Sequence, residues 1–258
     1  MRSRTALLAA VLILAVAGGV GAWLLFLRGD NVAPLALPST NPSAVALPSP
    51  SSPSTTSSSP SAAGSSSRPD ASTVTGAGDL AGTWTIGPDS VVGYRVRERL
   101  ANLSADSDAV GRTEQITGTV TLAENGGDLT VTAADFSVDM TTIASDRSMR
   151  DNRLRTDGIE TDSFPTSTFT LTAPVTVPTA GATGGQVDVT LHGDLTLHGV
   201  TKTIGIPAQA QLTAGQIQIA GSYAFPFSDF DINPPNVGGF VSVEDNGTLE
   251  FLVNLTKS

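Results

Sequence analysis

The chain has 258 residues, with 14 Lys and Arg against 24 Asp and Glu, two histidines, no cysteine and a net charge of −10. Disulfides, thiolate metal sites and cysteine lipidation are excluded, and so acidic a surface repels phosphate backbones, which argues against a nucleic-acid partner. Any folded part must stand on its own core.

Residues 6–27 (ALLAAVLILAVAGGVGAWLLFL) are uncharged and mostly apolar. At the rise of an α-helix they reach roughly 33 Å, enough to cross a hydrocarbon core of ~30 Å, and residues 1–30 are predicted to form a cytoplasmic tip and a transmembrane signal anchor. A cleaved signal peptide is the competing reading, because AVAG at residues 15–18 is a passable cleavage site. The apolar run continues past it through Trp23 to Leu27, which favours an uncleaved anchor. Arg2 and Arg4 precede the span and Arg28 is soon followed by Asp30, a weak positive bias that predicts a single-pass protein of the cell membrane with everything later extracytoplasmic.

Residues 31–79 are rich in Pro, Ser, Thr and Ala, with Arg68, Asp70 and Asp79 the charged residues. Such a composition cannot bury enough apolar surface to fold, and it predicts a disordered linker with an end-to-end distance of about 40 Å. Residues 80–258 form one predicted domain, acidic and long enough for a substantial core.

Within this domain apolar residues recur at every second position. Val92, Tyr94 and Val96 alternate in this way, as do Ile116, Gly118, Val120 and Leu122, then Phe136, Val138 and Met140. Phe169 with Leu171, Val187 with Val189 and Leu191, Ile217 with Ile219, Tyr223 with Phe225 and Phe227, and Leu249 through Leu255 continue the pattern. Turn chemistry at GPDS, ENGGD, GGQ, TAGQ and EDNGT separates the runs. About eight strands with one apolar and one polar face fit an antiparallel barrel or sandwich. SDRSMRDNRLRTDG, residues 145–158, breaks the alternation and predicts one short helix, capped by Ser145 or Asp146, stopped by Gly158, with Met149 and Leu154 inward.

The histidines, His192 and His198, fall in a continuous predicted strand, roughly 20 Å apart and on its polar outer face, too far to share a metal. Asp229 and Asp231 in FSDFDIN form a carboxylate pair by composition, but no nucleophile is grouped with them and they read as turn caps. No Ser/His/Asp or metal constellation emerges, so the sequence predicts neither catalysis, nor a metal, nor a cofactor.

The order MTTIASDRSMRDNRLRTDGIETDSFPTSTFTL, HGDLTLHGVTKTIGI, FSDFDI and TLEFLVNL resembles the YceI-like family of lipid-binding proteins, whose members are similar to lipocalins in shape. Arg150, Asp151, Leu154, Phe164, Pro165 and Phe169 occupy places of one family motif. Gly193, Leu195, Thr196, Gly199, Val200, Thr201 and Lys202 match its strand and turn. Phe227, Ser228, Asp229, Phe230 and Asp231 match a third motif with its arginine and glycine replaced. The resemblance implies an all-β, antiparallel, eight-stranded lipocalin-like barrel with one short helix, holding a long isoprenoid tail without cofactor or catalysis.

An eight-stranded barrel is just wide enough to be filled by its side chains or to hold one slim ligand. Gly118, Ala133, Ala208, Ala210 and Gly221, small residues at alternating positions, are expected to leave space inside. By parity the predicted lipid-binding residues are Tyr94, Val96, Val120, Phe136, Val138, Phe169, Leu171, Leu195, Tyr223, Phe225, Phe251 and Val253. Arg147, Arg150, Arg153 and Arg155 cluster in the helical segment, and the first three are candidates for a phosphate or quinone headgroup; pairing with Asp146, Asp151 and Asp157 is the alternative. The expected function is a membrane-anchored extracytoplasmic binder of an isoprenoid lipid, a quinone or a polyprenyl phosphate. The rival reading is a structural or interaction β-domain on a stalk, with a filled core and no ligand.

Overall fold

The computed structural model describes residues 32–38, 80–100, 107–125, 128–178, 184–213, 215–234 and 241–258. The expected anchor at residues 6–27 and most of the expected linker lie outside these. Among the described residues no helix is long and apolar enough to cross a membrane.

The strands are β1 (Gly82–Ile86), β2 (Val91–Leu100), β3 (Ser107–Thr113), β4 (Ile116–Asn125), β5 (Asp128–Asp139), β6 (Ala144–Ser145), β7 (Thr166–Leu171), β8 (Val175–Val177), β9 (Val187–Leu197), β10 (Val200–Thr213), β11 (Gln216–Pro226), β12 (Val241–Val243) and β13 (Asn246–Lys257). One helix, α1 (Ser148–Thr156), and two 3₁₀ turns, Met140–Thr142 and Phe227–Phe230, complete the described elements of the domain.

All pairings are antiparallel and they close. β13 pairs with β11 on one edge; on the other, Thr248–Leu252 pair with β2 and Leu255–Lys257 with β1. β1 continues the sheet to β4 and β2 continues it to β3. β1 with β2 is thus one bent stave, β3 with β4 the next, then β5 with β6, β7 with β8, β9, β10, β11 and β13: a closed eight-stave barrel. Closure leaves no long open edge for another chain to join. The bend between β1 and β2 sits at Gly87–Ser90, where Ser90 Oγ donates to the carbonyl of Gly87 at 2.8 Å and Asp89 takes φ 61°.

The inward faces are those that alternation predicts. Trp84, Phe230 and Leu255 are fully buried, and Trp84 Nε1 donates to Leu80 O at 2.9 Å, fixing the wide ring near the end of the barrel where the chain enters it.

Five expectations fail locally. The residue that precedes α1 is Arg147, with no side-chain cap bond, so neither Ser145 nor Asp146 caps the helix. Ala133, expected inside, is exposed and Ala134 is buried, in step with Phe136 and Val138; the extra residue at the register shift between β4 and β5 is Thr132, and it turns Leu129 and Val131 inward instead. Met149, expected inward, is 78% exposed, because α1 presses Arg150 and Leu154 toward the barrel instead. His198 is not in a continuous strand: with Gly199 it forms a tight turn, both at positive φ (51° and 74°), that reverses β9 into β10. Residues 32–38, part of the expected linker, lie against the outside of the barrel, with Leu37 buried and the backbone of Val32, Ala33 and Leu35 bonded to barrel side chains.

Candidate functional site

The barrel is hollow. Its central chamber encloses about 1000 Å³, solvent at the mouth included, and is lined from almost every stave. Of its lining residues only Tyr94, Ser167 and Thr168 carry a polar side-chain atom, and Ser167 Oγ already donates to Thr196 O at 2.8 Å. A second chamber of about 590 Å³ lies toward the end holding Leu80, Leu122 and Leu129; Leu191 and Ile219 are wall to both. A third, about 580 Å³, lies beneath α1 and shares Tyr94, Ile159 and Phe225 with the first. Sharing these wall residues, the three chambers lie in series along the barrel as an apolar column, and apolar walls of this extent forgo dispersion contacts unless something apolar lies against them.

What holds the column open is a repeated arrangement of ring over glycine. Inward-facing glycines stand beside aromatic residues of the adjacent strand, and each ring occupies the space a Cβ would take. A Cβ at Gly111 would come 2.3 Å from Cε1 of Tyr94, its cross-strand partner. The same holds for Gly118 and Phe136 at 2.6 Å and for Gly221 and Phe251 at 2.6 Å, while at Gly193 the ring is that of its diagonal neighbour Phe169, at 2.3 Å. Each ring is thereby drawn aside along the wall, and its bulk does not meet the others on the axis. Gly118 and Gly221, expected to leave space, do so by this indirect route.

Of the residues predicted to line the ligand space, Tyr94, Phe136, Val138, Phe169, Leu195, Phe225, Phe251 and Val253 line the central chamber. Val120 lines the second and Val96 the third. Leu171 and Tyr223 pack against the core without lining a chamber. Parity ran through Met140 without placing it among the lining residues, and it missed Ile143 and Ile159; these three close the α1 end from a 3₁₀ turn and loops, where alternation gives out.

Tyr94 Oη is buried and has no hydrogen-bond partner. Burial pushes its phenol well above the ordinary value; Arg150 pulls the other way, and the carboxylates of Asp151, Glu98 and Asp146 add to the rise. The hydroxyl is therefore a neutral donor at the junction of two apolar chambers.

The three arginines considered for a headgroup, Arg147, Arg150 and Arg153, already face carboxylates. Arg150 donates to both oxygens of Glu98, through Nε and Nη2 at 3.1 Å each, and also to Asp146. Burial works against its charge, and the bonds to Glu98 and Asp146 more than reverse this, holding the guanidinium above its usual range. Arg153 faces Asp157 at 3.2 Å and Arg147 faces Asp146 at 3.5 Å. Asp151, rather than standing free, accepts from the backbone and hydroxyl of Ser145 at 2.9 and 2.6 Å, which ties the helix to β6.

His198 acts as a clasp between loops at this end. Its ring is 9% exposed, with Nδ1 2.9 Å from Phe230 O and Nε2 3.0 Å from Glu160 Oε2. Phe164 stands beside it at a centroid distance of 4.3 Å. Both partners accept, so a proton on each ring nitrogen satisfies both bonds. His192 is exposed on β9. Asp229 lies in the 3₁₀ turn, 3.9 Å from Lys202, and Asp231 ends that turn at φ 54°, so the two serve the turn. Among the described residues no three His, Asp or Glu gather as a metal site.

The YceI-like domain family matches residues 84–255. No curated protein matches the sequence closely enough to stand as a relative. Among solved structures, Burkholderia cenocepacia BcnA is similar at 15% identity and a TM-score of 0.49, over 66% of this chain and 98% of its own. A polyisoprenoid binding domain from Saccharophagus degradans, implicated in plant cell wall breakdown, is similar at 16% identity and 0.48, over 68% and 98%. The Campylobacter jejuni YCEI protein is similar at 18% identity and 0.45, over 57% and 85%.

Proposed function

The chain belongs to the YceI-like domain family, and on that premise we propose that it is a membrane-anchored extracytoplasmic binding protein which holds one isoprenoid lipid along the barrel axis. The observation that carries this reading is the central chamber, almost wholly apolar and walled by residues from nearly every stave, with two further chambers sharing its walls. An extended, branched polyene or isoprenoid tail is long, slim and apolar, and it supplies the contacts such walls lack. Binding needs no catalytic group, and the polar clusters here are matched to one another.

Of the two heads considered, the quinone is the better supported. A quinone carbonyl is an uncharged acceptor and suits the unpartnered Tyr94 hydroxyl. A phosphate asks for cations, and Arg147, Arg150 and Arg153 already face carboxylates. The apolar stretch at residues 6–27 would keep the barrel beside the bilayer in which such lipids reside.

The test is organic extraction of the purified full chain followed by mass spectrometry. A prenyl lipid in near-stoichiometric amount is the expected result. A folded chain that yields no lipid and also refuses added prenyl quinone would favour the ligand-free interaction domain.

A further inference from the structure

Seven residues far from the barrel in sequence are part of it in space. Val32, Leu35 and Leu37 turn toward the outer wall made by β13, β2 and β3, while Ala33, Pro34, Ala36 and Pro38 are exposed. The wall beneath is unusual for a barrel exterior. Glu250 and Arg95 point outward by parity, yet their side chains are only 4% and 16% exposed. The outward-facing Val110 and Ala220 are buried as well.

The bonding explains the burial. Arg95 grips Glu250 through Nε at 2.6 Å and Asp108 through Nη1 at 3.1 Å. Its Nη2 also donates to the carbonyl of Val32 at 2.9 Å. Arg112 donates to the carbonyl of Ala33 at 2.6 Å, and the amide of Leu35 donates to Glu250 Oε2 at 3.4 Å. A charge pair withdrawn from water is tolerated when its remaining donors and acceptors are satisfied. Here two carbonyls and one amide of residues 32–35 help to do this. Pro34 and Pro38 have no amide to satisfy, and proline favours an extended chain that lies along a surface.

We infer that residues 32–38 are a strap that fastens the β13–β2–β3 wall close against the membrane, so that the barrel is clamped to the bilayer and does not hang from a long tether. This rests on the proposed anchor at residues 6–27. Only residues 28–31 separate that stretch from the strap, and even fully extended they reach no more than about 18 Å, against about 40 Å for the whole linker as a coil. Residues 38 and 80, on either side of residues 39–79, both belong to the described domain, so the length between them no longer sets the height of the domain. An acidic barrel has no electrostatic reason to lie on an anionic surface, so the fastening is mechanical.

The chain has no cysteine, so single introduced thiols label one position each. Ser222→Cys, exposed beside the strapped wall, and Thr170→Cys, exposed on the opposite wall, would carry a fluorophore in the full chain reconstituted in phosphatidylcholine nanodiscs with nitroxide-headgroup lipid. Quenching severalfold stronger at position 222 than at 170 is expected, together with slow hydrogen exchange of the strap. In the Leu37→Asp background, which leaves every barrel residue intact, the two positions should quench alike and the strap should exchange about tenfold faster. Equal quenching in the native background, an unprotected strap, or an intact mass showing that residues 6–27 have been removed would each overturn the inference. None of these outcomes depends on whether the barrel contains lipid, which extraction decides separately.

Discussion

The ring of Tyr94 occupies the place where a side chain on Gly111 would be: a Cβ there would stand 2.3 Å from Cε1, 2.7 Å from Cζ and 2.9 Å from Oη. No backbone atom is among these nearest neighbours, so the conflict is between two side chains alone. Gly111→Ala therefore forces the phenol off the wall and into the chambers. The substitution should cost about 1–3 kcal/mol in urea unfolding and reduce lipid retained on purification. With Tyr94→Ala in the background, Gly111→Ala should cost close to nothing, giving a coupling energy of about the same size as the single loss. Additive losses would mean that the glycine is needed for the strand itself and not for the ring.

Tyr94 also links stability to pH. Its phenol is held above the ordinary value by burial, so the unfolded chain releases this proton first, near pH ~10. Stability contributed by the protonated group is therefore intact below about pH 10 and lost as the pH rises past it. Tyr223 is the other tyrosine of the chain. In the Tyr223→Phe variant, phenolate absorbance should appear only in step with unfolding, and a bound acceptor on Tyr94 should move that step to higher pH. Phenolate forming in a folded protein would show that the hydroxyl reaches water.

The walls were legible in the sequence because each inner position is a local fact: one strand, period two. Tyr94, Phe136, Phe169 and Phe251 needed nothing else. Ala133 continues the alternation of Leu129 and Val131, but one extra residue, Thr132, reverses every later inner position and leaves Ala134 in step with Phe136; nothing in the composition of VTAADF announces it. His198 was misread because the turn His198–Gly199 falls between two runs that look like one; Gly199 was the available signal. The strap was invisible for a different reason. VAPLALP has the composition of a linker, and its partner Glu250 lies 215 residues away, a pairing that no local pattern encodes.

The two ion pairs of α1 should behave differently. Arg150 and Glu98 are mostly buried, whereas Arg153 and Asp157 are about half exposed. Arg150→Ala leaves Glu98 and Asp146 without their shared partner and should cost about 1–3 kcal/mol, while Arg153→Ala should change stability by no more than about 0.5 kcal/mol. Because the proposed head is uncharged, Arg153→Ala should also leave bound quinone unchanged. Loss of lipid in that variant without loss of stability would return the headgroup to the arginines.

His198 joins three segments that the chain brings together only on folding: the β9–β10 turn, the 3₁₀ turn at Phe230 and the loop at Glu160. Removing it orphans the Phe230 carbonyl and loosens Ile159, which roofs two chambers. His198→Ala should lower stability by about 1–3 kcal/mol. It should also accelerate exchange of prenyl quinone between barrel and vesicles. An unchanged exchange rate at reduced stability would place the route of entry at another part of the barrel.

Filling the column without disturbing its exterior separates the binder from a merely stable barrel. Leu191 is wall to both the central and the second chamber and is only partly buried. Leu191→Trp places a large ring in space that is otherwise unfilled, so the strain of overpacking, about 1–3 kcal/mol in a tight core, is relieved here by new dispersion contacts. The variant should melt within a few degrees of the native chain and yet carry little or no lipid. A filled barrel that still extracts with its full complement would mean that the lipid sits elsewhere, and the axis would lose its claim as the binding site.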